Sequence, residues 1–396
     1  MKPCVVLASV RQRGEEISGE IIAYRRTLHK IPELRMDTPF TEEFIVRALR
    51  DIGIEDVHRG VGGHGVCAVI YGDTPGMCLA IRADCDGLPI KEETGLPFAS
   101  TNGNMHACGH DAHVAMALGA AKLIYENRRN LRGCVKLIFQ PYEEGDGGAK
   151  LMLADGVLEN PRVDAIIALH NHPTEVDGCV VGDVLVTSEP VSANIYAYEA
   201  VFKGETRHVC LSDDGKNPVH MACLAVAEIA KNQKAGVVNA VTVIRGGVRN
   251  NIIPDTCMIS GSIRSFDRWE HEQMKQRVID LIKASAQAFS GSVEIKTCID
   301  LMATEIDEKL YKRFLEVVSE VYPERGAIVL EERDLIGEDF ARYADVVPGM
   351  YFKLYTKPAG AAFPLHHPKF DLDERALAKG SVVFAAFALE WLNKGE

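Results

Sequence analysis

Five short strings in this sequence carry residues able to do chemistry. They are Asp84-Cys85-Asp86, Met105-His106-Ala107-Cys108-Gly109-His110-Asp111-Ala112-His113, Glu143-Glu144, His170-Asn171-His172 and Leu365-His366-His367-Pro368. Together they hold cysteine, histidine and carboxylate, the donor types for zinc and its neighbours in the transition series. Cys108 and His110 are two apart, so on an extended loop their side chains share one side, whereas a helix would splay them by about 200°. Glu143 and Glu144 are adjacent and on an extended segment point apart. One can then ligate a metal while the other faces the substrate as general base, the division that metal-assisted hydrolysis needs. The candidate ligands are Cys108, His110, Glu144, His170 and His366. Five exceed one tetrahedral site, and two ions about 3.5–4 Å apart that share a ligand suit the number better. Taken singly, a cysteine or histidine is more often structural, a glutamate pair is more often a solvated face, and Asp84 and Asp86 are equally turn or cap residues. The case rests on their convergence.

The elements that must position these strings are short apolar runs at 66–71, 77–83, 135–139 and 163–169, alternating with helical stretches at 17–29, 41–52, 112–126 and 149–158. Thr41 reads as an N-cap, and 112–126 is apolar nearly all round, which places it deep in the domain. Such alternation signifies an α/β domain with a mostly parallel sheet, and such sheets carry their sites at the carboxyl ends of the strands, where the polar strings fall. From about residue 189 the pattern changes to strands at 194–202, 237–244, 257–263 and 293–298 with helices at 217–232 and 268–289, a β-α-β-β-α-β unit with an antiparallel sheet. A helix at 308–321, a strand at 349–354 and a helix at 374–392 return to the first style. The expected architecture is discontinuous: 1–188 and 301–396 form a metal-binding catalytic α/β domain, and 189–300 form an inserted α+β domain.

Composition narrows the classes. The 396 residues are 47% hydrophobic and 25% charged, an ordinary globular balance, and this length suits two domains or one with a large insertion. A net charge of -12 without a block of basic residues excludes a nucleic-acid footprint and disfavours anionic membranes. The apolar run near the start, 4–8, is far short of the ~18 residues of a membrane span and too short for a signal peptide, so a cytoplasmic protein is expected. Eleven cysteines at scattered spacings with no C-x-x-C pair read as reduced thiols. Gly145-Asp146-Gly147-Gly148 lacks the Gly-Lys-Ser/Thr ending of a P-loop and reads as a turn before a helix.

At these residues the chain resembles the dinuclear metallo-aminoacylase/carboxypeptidase family, in its amidohydrolase branch of hippurate, N-acyl-amino-acid and indole-acetyl-amino-acid hydrolases. The matching strings are Arg82-Ala83-Asp84-Cys85-Asp86-Gly87-Leu88-Pro89-Ile90, the stretch from Met105 to His113, Phe139-Gln140-Pro141-Tyr142-Glu143-Glu144, Ala168-Leu169-His170, Asn251-Ile252-Ile253-Pro254-Asp255, Gly337-Glu338-Asp339-Phe340 and His366-His367-Pro368-Lys369-Phe370. They run in the family's order from about residue 20 to the C-terminus.

The resemblance implies a zinc-peptidase-like catalytic domain with a ferredoxin-like lid and dimerisation domain inserted. It makes Cys108, His110, Glu144, His170 and His366 the ligands of two divalent ions and Glu143 the general base. Asp86, or otherwise Asp84, is the acid that orients a ligand, and His366 matches the ligand position better than His367. In the inserted domain it implies His208 as the histidine that reaches an active site, often the partner subunit's, and Asn251 and Arg264 as substrate-binding groups. The reaction implied is hydrolysis of an N-acyl amino acid by a homodimer, with no nucleic-acid or membrane partner. A thiolate ligand biases the ions towards zinc, cobalt or nickel, and the family also allows manganese. The same machinery serves a metallo-dipeptidase or carboxypeptidase; a catalytically silent metal-binding protein and a redox-sensing cysteine protein are the readings outside enzymology. The stretch 204–211 departs from the small, Gly-rich pattern usual around this histidine, and Ser212 stands where a proline is common. Cys85 and Tyr142 stand where Met and a small residue are commoner.

Overall fold

The computed structural model describes residues 3–145, 147–211, 216–331, 333 and 335–394; Asp146 of the glycine-rich turn and Ser212 lie outside them. Contacts divide the chain into two compact units. The first comprises Met1–Glu189, Glu305–Glu332 and Arg342–Glu396, and the second Pro190–Thr304 and Arg333–Ala341.

The first unit is built on an eight-stranded sheet in the spatial order Val57–Val61, Gly65–Tyr71, Arg132–Gln140, Thr74–Asp84, Ala165–His172, Gly349–Tyr355, Val184–Val186, Ala327–Val329. The four strands at its centre, from Arg132–Gln140 to Gly349–Tyr355, pair in parallel; antiparallel pairs join Val57–Val61, Gly65–Tyr71 and Val184–Val186, and Ala327–Val329 pairs in parallel with Val184–Val186. The central strands are buried on both faces over most of their length, which is why they read as unbroken apolar runs. Their register sets Asp84 beside Gln140, Arg82 beside Ala168 and His170 beside Lys353. The polar strings therefore emerge together at one edge of the sheet.

The helix His110–Asn127 is buried nearly all round, packed against Leu377–Lys394 and Ser18–Leu28. A further helix, Pro3–Glu16, precedes the first one expected. Leu7 and Val10 lie on its buried side, and Gly14 lets it close on the last helix, where a Cβ would stand 2.2 Å from Val382. The helix expected from Thr41 starts at Pro39, with Thr38 in the N-cap position, so Thr41 is not the cap. Proline at the first helical position has φ preset and no N–H to satisfy, which moves the boundary upstream. The short strands at 184–186 and 327–329 carry too few residues to show a pattern.

In the second unit the strands Asn194–Lys203, Val237–Gly246, Thr256–Ser265 and Ser292–Leu301 form an antiparallel sheet whose outer members are Ser292–Leu301 and Val237–Gly246. The helices Pro218–Lys231 and Arg268–Gln287 cover one face, burying Tyr198, Phe202, Met221, Ile259, Ile263, Val278 and Ile282. Side chains cap both helices: Asn217 accepts from the Val219 amide and Asp267 from the Glu270 amide. Residues 333–341, expected with the catalytic portion, pack in this unit instead. The Ile336 carbonyl accepts from the Ala193 amide at 2.9 Å, and the Leu335 carbonyl accepts from Arg264. Among the described residues no helix is long and apolar enough to cross a membrane.

Candidate metal centre

The edge of the first sheet is organised by two buried acids. The Arg82 guanidinium donates to Asp84 at 2.6 Å and to the Gln140 side chain at 3.0 Å, and His113 Nδ1 donates to Asp84 at 2.5 Å. Burial opposes ionisation of Asp84, but His110, Arg82 and His113 hold its carboxyl well below the ordinary range. Asp86 has a different task. Its carboxylate accepts from the backbone amides of Glu143 (3.1 Å) and Glu144 (3.4 Å) and lies 3.4 Å from His110 Nδ1, while its carbonyl accepts from that nitrogen at 3.0 Å. Asp86 thus fixes both the glutamate turn and a candidate ligand, and Asp84 serves His113.

Cys108 and His110 do converge, but not on an extended loop. Gly109 has φ 91° and caps the helix that begins at His110, so a left-handed turn brings the two side chains together. Asn171 closes this turn from outside, and a Cβ on residue 109 would stand 2.2 Å from its Oδ1. Gly109→Ala should therefore cost about 1–2 kcal/mol for the backbone conformation alone, plus the displacement of Asn171. The expected outcome is a lower thermal midpoint together with reduced metal retention, read by calorimetry and by plasma mass spectrometry.

Glu143 and Glu144 also depart from expectation, for they lie in a turn and do not point apart. Tyr142 enters that turn at φ 63°, and a Cβ on Gly145 or Gly147 would strike its ring. With both amides held by Asp86, the two carboxylates face the same nitrogen: His110 Nε2 is 4.0 Å from Glu143 and 3.9 Å from Glu144.

The remaining candidates complete the cluster. His170 Nδ1 donates to the Asn171 carbonyl at 2.7 Å, which leaves Nε2 with its lone pair 3.4 Å from Cys108 Sγ. Burial and His113 hold the His170 imidazole well below its usual range, hence neutral. His366, at φ 63°, sets Nε2 3.2 Å from Glu144 Oε1. His367 instead stacks on Phe363 and accepts from the Lys369 amide. Groups of donor atoms that lie within 4.8 Å of one another include Cys108, His110 and His170; Cys108, Glu144 and His366; His110, Glu143 and Glu144; and Asp84, His110 and His113.

These donors fit divalent ions. Among the described residues none hydrogen-bonds the buried His110 Nε2, and Glu144 Oε1 has only ionic contacts, with His366 and His110. Two ligand atoms on one tetrahedral ion stand about 3.3–3.8 Å apart, close to the separations observed. Burial disfavours charge at His110, yet Asp84 and Cys108 push its imidazole well above the ordinary range, as expected of a centre made to hold positive charge. Burial and Glu144 push the Cys108 thiol up, so its thiolate requires a cation nearby. Cys108 and Glu144 each belong to two of these groups and His110 to three, so the groups have ligands in common.

Sequence reasoning assigned no role to His113, Asn171, Arg25, His29 or Glu92. His113 lies three residues after His110 on a helix, hence on the same face, a spacing that signals its part. Arg25 and His29 carry no such signal. They come from the helix Ser18–Leu28 and its end, and meet Asp111, next to His110, only in the fold. His29 Nδ1 is 2.7 Å from Asp111 and Nε2 3.2 Å from Glu92, and Arg25 Nε is 3.2 Å from Asp111. Burial lowers the pKa of His29, but the two carboxylates outweigh it and raise it from 6.5 to about 9. A raised histidine contributes stability that is fully present below its unfolded value and lost as pH rises through its folded value. The loss should thus fall between about pH 6.5 and 9 and be on the order of 3 kcal/mol. His29→Gln should flatten the decline of the thermal midpoint across that window; an unchanged decline would assign it to other groups.

The candidates of the second unit are His208, Asn251 and Arg264. His208 is exposed in the two-residue strand Arg207–His208, opposite Ile252, and the Asn251 carbonyl accepts from the Val209 amide at 3.1 Å, so His208 and Asn251 are neighbours. Arg264 stands apart on the strand Thr256–Ser265, donating to the Leu335 carbonyl.

Comparison with known proteins gives this geometry its setting. Residues 80–390 match peptidase family M20/M25/M40. An N-acetyl-L-cysteine deacetylase of Bacillus subtilis is 34% identical over 395 residues, covering 96% of this chain and 90% of the relative. Thermostable carboxypeptidase 1 of Saccharolobus solfataricus is also 34% identical, covering 96% and 97%. The crystal structure of a dinuclear metal-binding peptidase of the M20 family from Bacillus subtilis superposes with a TM-score of 0.80 at 33% identity, covering 96% of this chain and 99% of that one.

Proposed function

The chain belongs to peptidase family M20/M25/M40, and on that premise we propose that it hydrolyses the amide bond of N-acyl amino acids, acetyl or aromatic acyl, to a carboxylate and a free amino acid. The observation that carries the reading is the glutamate turn held by Asp86, with two carboxylates about one nitrogen: one acid to ligate and one to move protons. Cys108, His110, Glu144, His170 and His366 would hold two divalent ions, of zinc, manganese, cobalt or nickel. When bound, these ions polarise the amide carbonyl and lower the pKa of water from about 15.7 towards about 7.

Glu143 is the general base. Its carboxylate takes the proton from the attacking water and hands it to the departing nitrogen, which leaves as the free amine. Asp86 keeps the turn and the His110 ring in place through this transfer. His208 donates to the oxyanion of the tetrahedral intermediate, and Arg264 and Asn251 bind the substrate carboxylate, a planar guanidinium being suited to bidentate pairing. The working unit is a homodimer in which His208 serves the partner's site.

The deacetylase relative supports an acyl substrate, and the carboxypeptidase relative supports a second reading in which the same groups cleave a peptide. Amine release from N-acetyl, N-benzoyl and indole-acetyl amino acids, measured beside dipeptides with each metal in turn, separates them. The expected result is a kcat/KM at least tenfold higher for an acyl amino acid. Preference for dipeptides would replace the first reading by the second.

A further inference from the structure

The loop that carries His208 is unusual in this chain, and its geometry gives that residue a defined protonation pattern. After the strand Arg207–His208 the backbone makes a single 3-10 turn, Val209–Leu211, tied at its start to the Asn251 carbonyl. The turn folds Cys210 back over the imidazole. Its Sγ lies 2.8 Å from His208 Nδ1, and its backbone amide donates to the same nitrogen at 3.4 Å. An amide N–H can only donate, so Nδ1 must be the acceptor, and in the neutral ring the proton resides on Nε2. The thiol, the closer of the two groups, then directs its S–H to the same lone pair and is its main donor, the amide being the longer contact. Among the described residues none bonds Nε2, which is left as a donor on an exposed ring.

We propose that Cys210 is a positioning residue that holds His208 as the Nε2–H tautomer, so that the ring offers a hydrogen-bond donor, and not a lone pair, to the oxyanion formed during amide hydrolysis. This inference rests on the oxyanion role of His208 given above. It assigns a purpose to the residues that replace the small, Gly-rich loop: a thiol two positions after the histidine supplies the bond that sets its tautomer. The opposite tautomer would turn a lone pair towards a developing negative charge, and partners that orient an active-site histidine are commonly worth about ten- to a hundredfold in activity.

The test uses the full, metal-loaded chain and the variants Cys210→Ala, Cys210→Ser, His208→Ala and the double variant Cys210→Ala/His208→Ala. Cys210→Ala should lower kcat about tenfold with KM within about twofold, because the bond matters only where negative charge develops. Cys210→Ser, whose hydroxyl can also donate to Nδ1, should recover most of that loss. In the His208→Ala background the Cys210 substitution should have no further effect. Nitrogen-15 spectra of ring-labelled protein, with His208 assigned from its variant, read the tautomer without reference to turnover. Nδ1 should be unprotonated in the parent chain; in Cys210→Ala only the backbone amide remains, at 3.4 Å, longer than an ordinary hydrogen bond, and the tautomers should be mixed. Protonated Nδ1 in the parent chain, or an unchanged kcat in Cys210→Ala beside a disabled His208→Ala, would overturn the proposal while leaving the oxyanion role standing. Full activity in His208→Ala would overturn the oxyanion role itself, and the spectra would still decide whether Cys210 sets the ring.

Discussion

Glu143→Gln should purify with the parent chain's metal content and thermal midpoint while its kcat falls by about three orders of magnitude. The substitution keeps the size of the side chain and the backbone amide that donates to Asp86, so the turn that also carries Glu144 has no reason to move. What is lost is the ability to accept a proton. Measured on the best acyl amino acid of the panel, kcat should carry nearly all of the effect, since the group acts in the transition state and not in substrate binding. A variant with full metal and near-parental kcat would show that the proton goes elsewhere. A variant that has lost its metals would show instead that Glu143 is a ligand, with Glu144 left as the base.

The second large effect is expected at Asp86. Removing its carboxylate in Asp86→Ala leaves the amides of Glu143 and Glu144 without their acceptor and takes away a contact of His110 Nδ1, although the residue 86 carbonyl still holds that nitrogen. Orienting partners of metal ligands are typically worth about ten- to a hundredfold in metal affinity. Titration of metal-free variant should show weakened binding, and activity should return in part as free metal is raised. Asp84→Asn should behave differently. Asp84 pairs with the buried Arg82 and fixes His113, so its replacement by an uncharged amide weakens both buried contacts and should cost about 1–3 kcal/mol of stability. Metal dependence in one variant and instability in the other would separate the two acids, whereas interchangeable phenotypes would contradict the division of labour drawn from their contacts.

Much of the catalytic unit is visible in the sequence because its central strands are buried on both faces. Such strands read as apolar runs, and each run ends where chemistry begins, so the polar strings mark the working edge of the sheet. The four strands and two helices of the second unit are equally plain, because alternation and 3.6-residue periodicity persist over ten residues or more. Conformations that depend on one or two residues are not legible in this way. Cys108 with His110 and Glu143 with Glu144 were expected on extended segments, whereas left-handed residues, Gly109 and Tyr142, turn the chain at both places. Contacts between distant segments left no pattern either. Arg25 and His29 reach Asp111 across more than 80 positions, and residues 335–341 join the second unit through Arg264 and the Ala193 amide, partners about 70 and 140 positions away.

The most direct measurement is metal content per chain, by plasma mass spectrometry, after chelation, reloading with one divalent metal and removal of excess, on the parent chain and on Cys108→Ala. Cys108 lies in one donor group with His170 and in another with Glu144 and His366, so its loss should disturb both ions and not one. The expected result is about two ions per parent chain and less than about one in Cys108→Ala, with hydrolysis lost in proportion. A fully active parent chain with one ion or none, or a Cys108→Ala chain that still retains two, would contradict a dinuclear centre built on these residues.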